Sequence, residues 1–228
     1  TVSLSMVDFL ADTYGVRAVY IPNGLAFQPA ASGSLLDRLG VPERRFILFA
    51  GRLVPEKDVH VLIEAFHRLI GQHGFADIRL LIAGGSGFSD SYARKLQRMA
   101  GPSTHFLGVV SPADLAKLYE QAAVCVLPSR LEGMSLVLLE AASHACPVIA
   151  ADIPENRNAL GEYAHYFPPG SVQALQDLLA QVFNNPRDAG LLARTAREHV
   201  TREFSWDRIT QQMEEAYLCA VRRALPRQ

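Results

Sequence analysis

The sequence is poor in the features that would assign it quickly. It has three cysteines, Cys125, Cys146 and Cys219. Their odd number and wide spacing support neither a disulfide framework nor a zinc site, and a reducing compartment fits best. Lysine plus arginine (22) nearly balance aspartate plus glutamate (23), for a formal net charge of -1. That leaves no electrostatic footprint for nucleic acid or for an anionic membrane, so any phosphate must be held locally. Long apolar runs are missing as well. Val124–Leu127 is far short of a membrane span, and the stretch from Met134 to Ala151 is interrupted by Glu140 and His144, so no transmembrane helix is expected. Several signatures are absent: the Gly-x-x-x-x-Gly-Lys-Ser/Thr phosphate loop, the Gly-x-Ser-x-Gly elbow, His-Glu-x-x-His, and an Asp-x-Asp pair for a nucleotide-bound metal. His60, His67 and His73 fall on or near one helix without a partnering acid and read as solvated side chains, so no metal site is expected. Thr1 is no initiator methionine, and nothing after it resembles a signal peptide, which points to an excerpt of a longer chain.

What is present is enough apolar residue for a substantial core, 49% of 228 residues. From Ala18 onward, short β-branched or apolar runs alternate with helical periods, the pattern of an α/β doubly wound parallel sheet covered by helices on both faces. The expected strands are Val19–Ile21, Phe46–Ala50, Ile78–Ala83, Thr104–Leu107, Val124–Leu127 and Val148–Ala150, with a weaker signal at His165–Phe167. Val59, Leu62, Ile63, Phe66, Leu69 and Ile70 mark one apolar helix face. Ser111-Pro112-Ala113-Asp114 reads as a capped helix start. The last third runs as extra helices, Val172–Phe183, Arg187–Phe204 and Trp206–Ala224, the last capped by Ser205. Thr1–Gly15 reads as a helix with no strand before it.

Ligands of open parallel sheets bind beyond the carboxyl ends of the strands. After Phe46–Ala50 comes Gly51-Arg52-Leu53-Val54-Pro55-Glu56-Lys57-Asp58, two cations at a helix start that could neutralise a pyrophosphate or simply pair with Glu56 and Asp58 at the surface. Gly84-Gly85-Ser86-Gly87 lacks the Gly-x-Gly-x-x-Gly spacing and is a tight turn or a ligand contact. Gly108-Val109-Val110 is suited to packing a flat base. The most informative stretch is Arg130-Leu131-Glu132-Gly133-Met134-Ser135-Leu136, leading through Glu140 to Ala142. It reads as a loop turning into a helix with one acid at its mouth and one inside, Gly133 permitting a tight turn where other residues would be strained. Unpaired amides and the macrodipole make such a start attractive to phosphate or a polar sugar. The plainer alternative is an amphipathic core helix with two solvated glutamates.

Pro22-Asn23-Gly24, Gly51-Arg52-Leu53 with Glu56-Lys57, the Gly84–Gly87 turn, Phe106-Leu107-Gly108, Pro128-Ser129, and Glu132-Gly133 with Glu140 together resemble the group 1 retaining glycosyltransferases of GT-B fold, family 4-like. The likeness runs from about Tyr20 to the Trp206 helix and covers the donor-binding, C-terminal half of such enzymes. It implies a Rossmann-like domain over residues 17–204 that binds a nucleoside diphosphate sugar as substrate, without cofactor or metal, and transfers the sugar with retention. Gly51 and Gly85 would let the donor approach, Arg52 and Lys57 would grip its diphosphate, and Val110 would sit by the base. The backbone of Gly133, Met134, Ser135 and Leu136 would hold sugar and phosphate, Glu140 the ribose hydroxyls, and Glu132 the donor sugar near its reacting carbon. Arg52, Lys57 and Glu132 would thus carry the catalytic contribution of this chain.

Two departures stand out: Ala145 occupies a position where the family commonly has glycine, which would strain the helix end, and Met134-Ser135 replaces a frequent Phe-Gly or Phe-Pro pair. The resemblance also implies an acceptor site in a missing N-terminal domain, to which residues 1–16 would belong and residues 205–228 would cross back. The acceptor, a glycan, lipid or small molecule, would bind there, and the setting would be cytoplasmic or peripheral at the inner face of a membrane. A non-catalytic nucleotide-sugar binding module and a GT-B epimerase or phosphorylase are the alternative readings.

Overall fold

A computed structural model describes residues 1–30, 35–86 and 90–224. Its centre is one parallel sheet of six strands: β1 (Phe46–Ala50), β2 (Arg79–Ala83), β3 (Thr104–Gly108), β4 (Val124–Leu127), β5 (Val148–Ala151) and β6 (His165–Phe167). Their order is β3-β2-β1-β4-β5-β6. β1, β4 and β5 are buried along their whole length, because helices cover both faces and neither side of these strands meets water. Helices α1 (Leu4–Tyr14), α2 (Leu35–Leu39), α3 (Val59–Ile70), α4 (Asp90–Met99), α5 (Pro112–Gln121), α6 (Leu136–Ser143), α7 (Pro154–Leu160), α8 (Val172–Asn184), α9 (Pro186–Glu203) and α10 (Trp206–Ala224) complete the chain. The chain is therefore an α/β doubly wound domain with additional C-terminal helices.

Side-chain spacing explains the layers. α3 turns Val59, Leu62, Ile63, Phe66 and Leu69 into the core, each fully buried, and packs against α8. Burial of each such side chain is worth about 1.5–3 kcal/mol. α6 packs against α5 and α9. α5 begins as its sequence suggests, with Pro112 in the first turn and Ser111 Oγ accepting the Asp114 N–H at 3.1 Å. Among the described residues no helix is long and apolar enough to cross a membrane.

The chain ends depart from the sequence reading. Val19–Ile21 is not a strand, since its nearest backbone partner is the beginning of the chain. The Thr1 ammonium donates to the Val19 carbonyl at 2.9 Å and the Ile21 N–H to the Thr1 carbonyl at 3.0 Å, and no ladder continues from there. α1 starts three residues late, at Leu4 behind the Ser3 cap, and buries none of its residues. On α10, Ile209 is buried while Trp206, Met213 and Tyr217 stay exposed. Gly24 lies against the Trp206 indole so closely that a Cβ there would sit 2.4 Å from a ring carbon. Beside them, Leu25 N–H donates to the Phe204 carbonyl at 2.6 Å. Residues 225–228, the end of the expected crossing segment, lie outside the described residues.

Candidate functional site

The strand order reverses direction between β1 and β4, which leaves a crevice beyond their carboxyl ends. The loops after these two strands carry Arg52 and Lys57 on one side and Glu132 on the other. They meet directly: Lys57 Nζ lies 2.6 Å from Glu132 Oε1, with the two side chains 15% and 8% exposed. Lys57 thus pairs with neither of its sequence neighbours Glu56 and Asp58. Asp58 is instead gripped by Arg130, whose Nε donates to Oδ2 at 2.7 Å and whose terminal nitrogen reaches Oδ1. Arg52 is exposed, and its side chain makes no hydrogen bond or ion pair among the described residues.

Gly51 and Gly84 face each other at the floor of the crevice. Gly84 has φ 142°, and a Cβ there would lie 1.8 Å from the Gly51 carbonyl oxygen. Gly84 therefore serves close backbone packing between β1 and β2. Gly85 accepts the Leu53 N–H at 2.9 Å, which ties the two loops together. Gly87, the last residue of that expected turn, lies outside the described residues.

The start of α6 differs from the sequence expectation in one respect. Gly133 is not among the residues with positive φ, so it is not needed for a strained turn; a Cβ there would meet nothing within 4 Å, and its absence leaves open space beside the helix start. Ser135 stands at the cap position without a capping hydrogen bond. Leu136 N–H turns back to the Met134 carbonyl at 3.1 Å, while the N–H groups of Gly133, Met134 and Ser135 have no acceptor among the described residues. Three open amides at a helix start are a receptive surface for anionic or hydroxyl oxygen. The Met134 side chain is engaged elsewhere, its sulfur accepting the Asn23 N–H at 3.0 Å.

One turn into α6, about 6 Å along its axis, Glu140 lines a cavity of about 160 Å³ with Val110, Tyr119, Ser143 and His144. Tyr119 Oη donates to Glu140 Oε2 at 3.2 Å. Burial raises the Glu140 carboxyl above the usual glutamate range, against the opposing pull of the Tyr119 bond. Burial, with the Cys125 and Glu140 charges adding to it, pushes the Tyr119 phenol well up. Glu140 is therefore a half-buried carboxylate with one donor and remaining acceptor capacity, which suits a hydroxyl-bearing ligand.

At the far end of α6 Ala145 has φ 52°, a left-handed conformation that favours glycine. The strain that the family resemblance implies at this position is present. Sequence reasoning missed Asp58, Arg130 as its partner, and Tyr119. The first pair depends on the adjacency of β1 and β4, which no local pattern carries; no motif singles out Tyr119 within α5.

Comparison with known proteins follows the same outline. Residues 37–199 match the family described as glycosyl transferases group 1. A glycogen synthase of Mycobacterium tuberculosis is 31% identical over 230 residues, covering 97% of this chain and 54% of that protein. A D-inositol 3-phosphate glycosyltransferase of Saccharomonospora viridis is 34% identical over 202 residues, covering 84% of this chain and 47% of that protein. Among solved structures, HepE of Anabaena in complex with UDP-glucose superposes with a TM-score of 0.85 at 20% identity, over 96% of this chain and 63% of that one. The chain spans about half the length of the curated relatives it matches. With more than half of its residues covered by one family and near-complete coverage by a relative above 30% identity, the chain belongs to the group 1 glycosyltransferases.

Proposed function

We propose that this chain is the donor-binding half of a glycosyltransferase that moves a hexosyl-type group from a nucleoside diphosphate onto an acceptor, with retention and without a metal. The observation that carries this reading is the Lys57–Glu132 pair at the reversal of strand order, set against the open amides of the α6 start. Lys57, with Arg52 beside it, supplies positive charge for a diphosphate, and the amides of Gly133 to Ser135 extend that field. Glu140 with Tyr119 offers a polar wall for ribose hydroxyls, Val110 an apolar one for the base, and Gly51 and Gly85 a close backbone floor. On this reading Lys57 and Arg52 are the cations that face the leaving group.

In the transfer, the bond between the anomeric carbon and the β-phosphate oxygen breaks and the diphosphate departs with the electron pair. The acceptor hydroxyl forms the new bond on the same face and passes its proton to the departing diphosphate oxygen. Stabilisation of the departing diphosphate is the main catalytic term this half supplies. Glu132, released from Lys57 as the diphosphate arrives, places negative charge beside the electron-poor carbon. The acceptor belongs to a second domain, in keeping with relatives about twice as long, and the exposed apolar residues of α1 and α10 are the surface such a domain would cover. The half would then be inactive alone. Buried free thiols at Cys125 and Cys146 suit a cytoplasmic setting, with any membrane association made peripherally through the second domain.

The test is titration calorimetry with UDP, GDP and ADP and their glucose conjugates, in the presence of EDTA. One nucleoside diphosphate is expected to bind, and Lys57→Ala to weaken it by about tenfold to a hundredfold. The HepE complex makes UDP the first to try. No binding by any of the three, or equal affinity in the variant, would overturn the donor-site reading.

A further inference from the structure

Asp58 occupies an expensive position. It joins the short 3-10 turn Pro55–Lys57 to α3 with φ 48° and ψ 32°, a left-handed conformation that glycine adopts without strain. Its carboxylate is 1% exposed. As the residue preceding α3 it could cap that helix, a common use of aspartate, yet its side chain makes no capping bond. His60 Nδ1 stands 3.7 Å away, beyond hydrogen-bond length, and is itself engaged with Tyr92 Oη at 3.0 Å. Both carboxylate oxygens go to Arg130. Local stability of the α3 start accounts for none of this.

The contact does join two loops. Arg130 also donates its backbone N–H to the Glu56 carbonyl at 3.0 Å. Residues 56–58 and 130–132 are thereby tied by a backbone bond, by the bidentate Arg130–Asp58 contact, and by Lys57–Glu132. The last of these must open if a diphosphate takes Lys57; the other two need not.

We propose that Asp58 and Arg130 are positioning residues, holding the loop that carries Lys57 at a fixed spacing from the loop that carries Glu132 while a nucleoside diphosphate is bound. The inference rests on the donor-site reading above. Bidentate geometry is what the role requires, since a single flexible ion pair would fix distance but not orientation.

The experiment is a double-mutant cycle on the full chain, read by calorimetry with whichever of UDP, GDP and ADP binds tightest, alongside thermal melting. Asp58→Asn keeps size and tolerance of the left-handed backbone while removing the charge that Arg130 grips. It is expected to weaken nucleotide binding by about tenfold alone and by less than about twofold in a Lys57→Ala background, because it acts through Lys57. Arg130→Lys should behave likewise. Asp58→Gly, which relieves the backbone strain, should lose the same affinity without a matching loss of melting temperature. Additive effects in the cycle, an Asp58→Asn affinity equal to wild type, or affinity that merely follows melting temperature across the variants would each overturn the positioning role. If Lys57→Ala itself leaves affinity unchanged, the donor-site reading fails first, and this inference with it.

Discussion

Lys57 and Glu132 neutralise each other across the crevice at 2.6 Å, although 75 positions separate them in the chain. On the donor-site reading, a diphosphate arriving at Lys57 would compete with a partner already in place. Removing that partner should help the nucleotide.

Glu132→Gln is accordingly expected to tighten binding of the free nucleoside diphosphate by about threefold to tenfold, since a neutral amide holds Lys57 less strongly than a carboxylate does. The gain should be smaller for the sugar conjugate, which loses its own contact with the acid. Calorimetry with the two ligands reads both effects; weaker binding of the free diphosphate in the variant would contradict the competition.

Glu140 gives a pH test. Its raised carboxyl means that the folded chain holds that proton more tightly than the unfolded chain does. Stability therefore falls as pH rises from the ordinary glutamate value through the raised one, and the whole cost of the buried charge is present above it. Glu140→Gln should melt higher than the native chain at about pH 7.5, and the difference should disappear towards about pH 4. The glutamine carbonyl still accepts from Tyr119, so melting curves equal at every pH would show that burial does not act on this group.

Ala145→Gly should stabilise the chain. Relief of a left-handed alanine is worth about 1–2 kcal/mol, offset by about 0.4–1 kcal/mol of extra freedom in the unfolded chain. A net gain of about 0.5–1 kcal/mol in denaturant unfolding is the expected result. A loss would mean that the φ of 52° is not strained in this setting.

Gly84→Ala should do the opposite. Its Cβ would overlap the Gly51 carbonyl, and the φ of 142° is itself unsuited to a side chain. Destabilisation of about 3 kcal/mol or more, or failure to fold, is expected from unfolding curves and expression in the soluble fraction. An unaffected variant would remove the close approach of β1 and β2 as a constraint on this site.

Much of the sheet was legible because a parallel strand buried on both faces must be apolar throughout, as Phe46–Ala50 and Val124–Leu127 are. The same rule misread Val19–Ile21: its backbone bonds to the chain start rather than to a strand, and Val19 itself is 59% exposed. Charges were harder. Lys57 beside Glu56 and Asp58 suggested local pairing, yet both Lys57 and Asp58 find partners beyond residue 129, because the β1 and β4 ends lie side by side. Gly133 was assigned a backbone role from its type alone; its φ is not positive and a Cβ there would meet open space, so the fold itself does not require glycine at this position. Ala145, by contrast, was legible through the family resemblance, which implies glycine at that position, and its φ of 52° bears the strain out.

The pairing of β1 with β4 sets Ile47 opposite Val124 and Leu48 opposite Cys125, with β2, β3 and their helices threaded between them in the chain. Contacts of such high sequence separation require closure of a long loop and make folding slow. Lys57 and Glu132 sit on the loops that follow the two strands so joined. A folding intermediate holding only one side of the sheet would carry half of the crevice, so on the proposed reading a nucleotide would bind the completed fold alone. Each occupied molecule would thereby be drawn from the unfolding equilibrium, and resistance to proteolysis should rise with the concentration of the nucleotide that the proposed site takes.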